Sequence, residues 1–136
     1  MNTITIVGRL GQDPEMRFTK DGKAVAEWSV ATTRKIGDKE ETTWHRCVAF
    51  GDSAEHYVAS FAKGRRVIVV GRLSIKEFDK KDGTKGSRTE ILVDEAALSA
   101  RYANLFVENL DAVRQVQDRV GKPMPAPQMF EDEEPF

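Results

Sequence analysis

Apolar positions along the first hundred residues recur mostly every second residue, the period of a strand with one buried face. Ile4 and Ile6 alternate with Thr3, Thr5 and Val7, which predicts a strand over 2–10, and Gly8 inside it predicts a bend or bulge. Gly11-Gln12-Asp13-Pro14 reads as a turn, 15–19 as a short extended piece, and Asp21-Gly22 as a hairpin turn. A second strand covers 24–33, with Ala26, Trp28, Val30 and Thr32 on one face, where apolar neighbours favour a core role for Trp28 over base stacking. Residues 34–41 are polar and predict a loop with Gly37-Asp38 at its tip, ahead of a third strand over 42–50. The period then changes. Ala54, Tyr57, Val58 and Phe61 fall on one helical stripe, with Asp52 as cap, Glu55 completing a capping box and Gly64 as a left-handed C-cap. Alternation resumes over 65–78. Its first half, Val67 to Val70, is apolar on both faces and reads as buried; its second half sets Leu73 and Ile75 against Arg72, Ser74, Lys76 and Phe78. A basic hairpin loop, 79–86, turns at Asp82-Gly83 and leads into a fifth strand over 87–98.

This order, three strands, a helix and two strands, defines the fold class: all-β, a five-stranded OB-fold Greek-key barrel with one short helix between strands 3 and 4. Val7-Gly8-Arg9-Leu10 recurs as Val70-Gly71-Arg72-Leu73, as two barrel strands bending for similar reasons would. Residues 1–101 form the barrel domain. Residues 102–120 form an extension: 101–107 reads as a further strand, whereas Leu105, Phe106, Val113, Val116 and Val120 fit an amphipathic helix, so a clamp strand and a helix both remain open. Residues 121–136 form a Pro-rich linker and an acidic tip with no means of building a core, which predicts disorder in the free chain.

Composition sharpens this picture through charge placement. The net charge of −1 hides an asymmetry: residues 1–101 carry 18 Lys/Arg and 15 Asp/Glu, whereas 102–136 carry 3 and 7. A mildly basic domain precedes an acidic end. No apolar run is long enough to span a bilayer, and the N-terminus lacks the marks of a signal peptide, so neither a membrane nor export is expected. The single cysteine, Cys47, excludes an internal disulfide and fits a reducing cytoplasm.

The candidate chemistry centres on Thr43 to Gly51. As a strand it places Trp44, Arg46, Val48 and Phe50 on one face and His45, Cys47 and Ala49 on the other. Bases stack on aromatics and phosphates pair with guanidinium, so the first face suits a single-stranded nucleic-acid platform. The same pattern also fits an ordinary half-buried strand whose aromatics join a core. His45, Cys47 and His56 raise the question of an enzyme, but they match no metal-ligand spacing and no nucleophile–base cluster accompanies them. Neither catalysis, a metal nor a cofactor is expected.

Gly8 to Pro14 (GRLGQDP), Val25-Ala26 with Ala31-Thr32, Thr43-Trp44-His45-Arg46, Phe50-Gly51 with Ala54-Glu55, Lys63-Gly64 and Val70-Gly71-Arg72-Leu73 stand in an order and spacing that resemble the bacterial-type single-stranded DNA-binding protein family. The acidic ending, Glu131-Asp132-Glu133-Glu134-Pro135-Phe136, resembles that family's tip. Val93-Asp94-Glu95 and Arg101-Tyr102-Ala103 resemble its actinobacterial branch, in which an extra strand clamps subunits; a phage-encoded relative would share them. The resemblance implies a homotetramer that wraps single-stranded DNA without sequence preference. It maps stacking onto Trp44, Phe50 and Phe78, with Phe78 where many relatives carry Trp and Ile36 where the family often has a further aromatic. It places His45 near a subunit interface. Arg34, Lys35, Arg46, Arg72, Lys76, Lys85 and Arg88 are the candidate phosphate ligands. The tip would recruit replication, recombination and repair proteins, with Phe136 filling an apolar pocket and the carboxylates meeting Arg or Lys. The expected location is the cytoplasm, on the nucleoid.

Overall fold

Alternation along the chain becomes a closed sheet. A computed structural model describes residues 1–106. The chain divides into two units, Met1–Ser99 and Ala100–Phe136. In the first, the elements run β1 (Ile4–Leu10), β2 (Glu15–Phe18), β3 (Ala24–Ile36), β4 (Lys39–Phe50), α1 (Asp52–Ser60), β5 (Arg66–Asp79) and β6 (Lys85–Leu98). Hydrogen-bonded order is β1-β5-β6-β4-β3-β2, and β1 also pairs β3 through Arg9↔Ala31 and Leu10↔Val30. That last pairing closes β1, β5, β6, β4 and β3 into a five-stranded barrel with no free edge among them. All the pairings are antiparallel except β4 with β6, where Cys47↔Ile91 and Val48↔Leu92 run parallel. The extended piece after the first turn is β2, which lengthens the sheet beyond β3 with Glu15↔Glu27 to Phe18↔Ala24.

Closing so small a barrel brings backbones close together at its corners. A Cβ on Gly8 would stand 2.1 Å from the carbonyl oxygen of Ala31, and one on Gly71 2.3 Å from that of Leu92. The recurrent Val-Gly-Arg-Leu is thereby explained: each copy puts a strand against another backbone, and the second sits at a register shift between Val70 and Gly71.

The barrel interior takes the inward positions of every strand: Ile6, Leu10, Ala26, Trp28, Val30, Cys47, Ala49, Val67, Val69 and Ile91 are all buried. The helix plugs one end. Trp28 meets Phe61 edge-on at 5.3 Å and Tyr57 at 5.5 Å between ring centroids, which anchors α1 to β3 as the apolar stripe requires.

Several expectations change in detail. The helix begins after Gly51, whose φ of 86° supplies the reversal from β4, and no side chain caps it. Asp52 and Glu55 lie within the first turn, where carboxylates favour the positive end of the helix dipole. The helix ends at Ser60 because Phe61 turns extended to bury its ring, so Gly64 is not its C-cap. Gly64 instead ties the approach to β5 back to β1: its N–H donates to the Leu10 carbonyl at 2.9 Å, and its carbonyl accepts from Arg9. Residues 34–41 are not a loop. They extend the β3–β4 hairpin through Arg34↔Glu41, Lys35↔Glu40 and Ile36↔Lys39, with Gly37-Asp38 as the turn. On β5, Val67 and Val69 are buried but Ile68 is exposed beside its cross-strand partner Val7, because no layer of the first unit covers that outer face.

In the second unit, residues 100–106 form neither strand nor helix, and the Arg101 guanidinium lies 5.2 Å over the Tyr102 ring. The rest of the proposed extension, the linker and the tip Glu131 to Phe136 lie outside the described residues.

Candidate nucleic-acid interface

Cross-strand register decides which side chains share the barrel's outer face. On β4 that face carries Trp44, Arg46, Val48 and Phe50; through Val48↔Leu92 it continues on β6 with Arg88, Glu90 and Leu92. Lys76↔Arg88, Ser74↔Glu90 and Phe78↔Gly86 extend it onto β5. Ser29↔Arg46 and Glu27↔Val48 extend it the other way onto β3, and Arg17↔Val25 onto β2. Three aromatics stand on this face with their rings in solvent: Trp44 is 60% exposed, Phe50 44% and Phe78 47%. The β4 aromatics therefore do not join the core, whereas Trp28 does.

The cations between these rings are held by two carboxylates. Glu27 Oε2 accepts from Arg46 Nη2 at 2.6 Å, and Glu27 Oε1 accepts from Arg17 Nη2 at 2.6 Å and Nε at 3.1 Å. Glu90, only 2% exposed, has Lys76 Nζ at 2.9 Å, Arg46 Nε at 3.6 Å and Arg88 Nε at 3.7 Å. Desolvation pushes the Glu27 carboxyl upward, but the hydrogen bond from Arg17 and the charges of Arg46 and Arg17 outweigh it, and its pKa falls below the ordinary value. The result is a chain of charges across four strands, Arg17–Glu27–Arg46–Glu90, branching to Lys76 and Arg88. Its outermost members keep part of their donor capacity for an anion from solvent.

Of the candidate phosphate ligands, Arg46, Lys76 and Arg88 are thus brought together. Arg72 lies further along β5 on the same face and pairs with Asp94 at 3.3 Å. Lys35 shares the parity of Trp44 along the hairpin, whereas Arg34 falls on the opposite face and pairs with Glu41 at 2.9 Å. Lys85 falls opposite Phe78 as well, since it pairs with Asp79. Ile36 is exposed at the end of β3. On the inward side, His45 Nε2 lies 2.8 Å from Thr32 Oγ1. Burial drives the Cys47 thiol up to about 12, so it is a neutral packing group at any physiological pH. Among the described residues no group of three or more His, Cys, Asp or Glu is placed to hold a metal ion, and no helix is long and apolar enough to cross a membrane.

Sequence reasoning missed Arg17, Glu27 and Glu90. Their parities were readable, but the link from Arg46 to Glu90, which joins the two halves of the network, depends on the parallel β4–β6 pairing between segments far apart in sequence. It also missed an open cleft of about 350 Å³ beside Trp44, lined by Gly11, Gln12, Asp13, Glu15, Glu27, Trp28, Ser29, Trp44 and Arg46.

A closed five-stranded barrel and a helix between its third and fourth barrel strands together define an OB-fold module, here with an outer face of aromatics and cations. The chain belongs to the single-strand binding protein family, whose model matches residues 1–99. It is 43% identical over 112 residues to a protein of Mycobacterium leprae (strain TN) named single-stranded DNA-binding protein, covering 77% of this chain and 67% of the relative. A protein of the same name from Mycobacterium tuberculosis (strain ATCC 25618 / H37Rv) is 44% identical, covering 77% and 68%. Single-stranded DNA-binding protein 2 of Streptomyces coelicolor is 38% identical over 111 residues, covering 76% and 56%. These relatives place the chain in the actinobacterial branch, and the family is one of binding proteins, not enzymes.

Proposed function

We propose that this chain binds single-stranded DNA across the outer face of β4, β6 and β5 and serves replication, recombination and repair. The observation that carries the reading is the exposure of Trp44, Phe50 and Phe78 on one sheet face with Arg46, Lys76 and Arg88 between them. Every base offers a π-face, so stacking tolerates any sequence at roughly 1–3 kcal/mol per base. Arg46, Arg72, Lys76, Arg88 and Lys35 take phosphates. Arg34 and Lys85 contribute only where the strand crosses a hairpin tip. The homotetramer uses apolar outer surface such as Val7 and Ile68, together with the His45 side, and acts in the cytoplasm on the nucleoid. The acidic tip, Glu131 to Phe136, recruits partner proteins.

Titration of the protein with poly(dT), followed by tryptophan emission at several salt concentrations with mass measured alongside, tests the binding. Quenching is expected, with each neutralised phosphate adding about −0.7 to the slope of log K against log salt. Absence of quenching, or clear preference for RNA in competition, overturns the reading. Deleting residues 131–136 is expected to leave poly(dT) affinity equal or slightly higher, because carboxylates compete with phosphate, and to abolish pull-down of replication and repair proteins. Unchanged pull-down would remove the tip from the proposal.

A further inference from the structure

Two of the three exposed aromatics on the outer face of β4, β6 and β5 lean on a glycine, and neither glycine is required by a positive φ. Gly11 and Gly86 both lie outside the positive-φ region that favours glycine. What sets them apart is the space where a side chain would be. A Cβ on Gly11 would stand 2.4 Å from Trp44 Cζ3 and 2.8 Å from Cη2. A Cβ on Gly86 would stand 2.7 Å from Phe78 Cζ and 2.9 Å from Cε2. Carbon atoms pack at about 3.5–4.0 Å, so in both places the ring occupies the volume a methyl group would need. Gly8 and Gly71 are different, since a Cβ there meets a main-chain oxygen that cannot move without opening the barrel. At Gly11 the obstacle is the far end of a half-exposed ring, which can swing outward; at Gly86 it is such a ring together with the end of the Lys80 side chain, whose Cε would lie 2.9 Å away.

We infer that Gly11 and Gly86 are positioning residues for two of the aromatic platforms, each leaving open the space into which its ring leans. The inference rests on the reading of Trp44 and Phe78 as stacking surfaces. A ring supported on one side keeps few rotamers, so a base that stacks on it pays little ordering cost. The two seats arise independently. Gly11 follows β1 in the turn toward β2, whereas Gly86 is the cross-strand partner of Phe78 in the β5–β6 hairpin. Aromatic rings laid over cross-strand glycines are a known way of pinning a hairpin. Gly11 also helps to line the cleft beside Trp44, so the leaning indole is part of the lining of that cleft, with Arg46 and Ser29 among its other lining residues.

A double-mutant cycle on the full-length protein tests this: Gly11→Ala, Trp44→Ala and both together, read by dT-oligonucleotide affinity, thermal midpoint and acrylamide quenching of the free protein. Gly11→Ala is expected to raise tryptophan accessibility and weaken binding roughly three- to tenfold, with the thermal midpoint unmoved. In the Trp44→Ala background the same change should alter neither affinity nor quenching. Equal loss in both backgrounds overturns the inference, because a merely structural glycine would be additive. So does full affinity and unchanged quenching for Gly11→Ala where Trp44→Ala itself weakens binding. If Trp44→Ala leaves binding intact, the stacking reading fails instead, and quenching alone decides whether Gly11 sets the pose of the ring. Gly86→Ala with Phe78→Ala repeats the affinity cycle at the second seat.

Discussion

Trp28→Ala is expected to cost the barrel about 3–5 kcal/mol, whereas Trp44→Ala leaves stability nearly unchanged and weakens single-stranded DNA binding roughly 5- to 150-fold. The side chains are identical and sit on paired strands, so the difference lies in where each points. Trp28 is 4% exposed and forms the contact between β3 and the helix through Tyr57 and Phe61. Removing it empties a volume that the closed barrel cannot collapse to fill, and the helix loses its anchor. Stability totals of about 5–15 kcal/mol are usual for a domain, so this loss is a large fraction. Trp44 gives up little packing on truncation, since most of its ring is already in water. Urea denaturation of both variants, followed by dT-oligonucleotide titration of the folded ones, separates the two roles. A Trp44→Ala protein as unstable as Trp28→Ala would mean that the ring is structural and the face is not a platform.

Much of this was legible because β-strand alternation and short-range turns are local properties. Trp44, Arg46 and Phe50 could be assigned to one face from β4 alone, and Trp28 to the core from β3 alone. The helix stripe was readable too, but its ends were not. Gly51 makes the reversal out of β4 and takes the cap position from Asp52, and Phe61 leaves the helix to bury itself against Trp28, a tertiary demand that overrides the stop signal at Gly64. The polar stretch 34–41 looked like a loop because hairpin strands that project beyond a barrel have no buried face to impose alternation. Lys85 and Arg34 were chosen for their charge and neighbourhood, and one residue of register puts each on the face opposite Phe78 and Trp44. Glu27 and Glu90 escaped notice for a converse reason. A carboxylate argues against phosphate binding until the register shows that it holds the cations in place.

That role of Glu90 leads to an expected trade-off: Glu90→Gln should lower stability and raise affinity for single-stranded DNA at low salt. The carboxylate is almost fully buried on the proposed binding face with three cationic groups within 4 Å. Removing its charge leaves Arg46, Lys76 and Arg88 repelling one another across adjacent strands. Breaking a buried pair commonly costs about 3–5 kcal/mol. Here the cations keep 35–53% of their side-chain surface in solvent, and Arg46 retains Glu27, so the loss should be smaller, about 1–2 kcal/mol. The same three groups then offer their charge to phosphate instead of to Glu90. One more phosphate neutralised would steepen the slope of log K against log salt by about 0.7. Affinity should therefore rise most at low ionic strength and converge with the native protein at high salt. Measuring urea stability and poly(dT) affinity over a salt series checks both halves. Weaker binding with an unchanged slope would mean that Glu90 serves chiefly to aim the cations and that its charge does not compete with DNA.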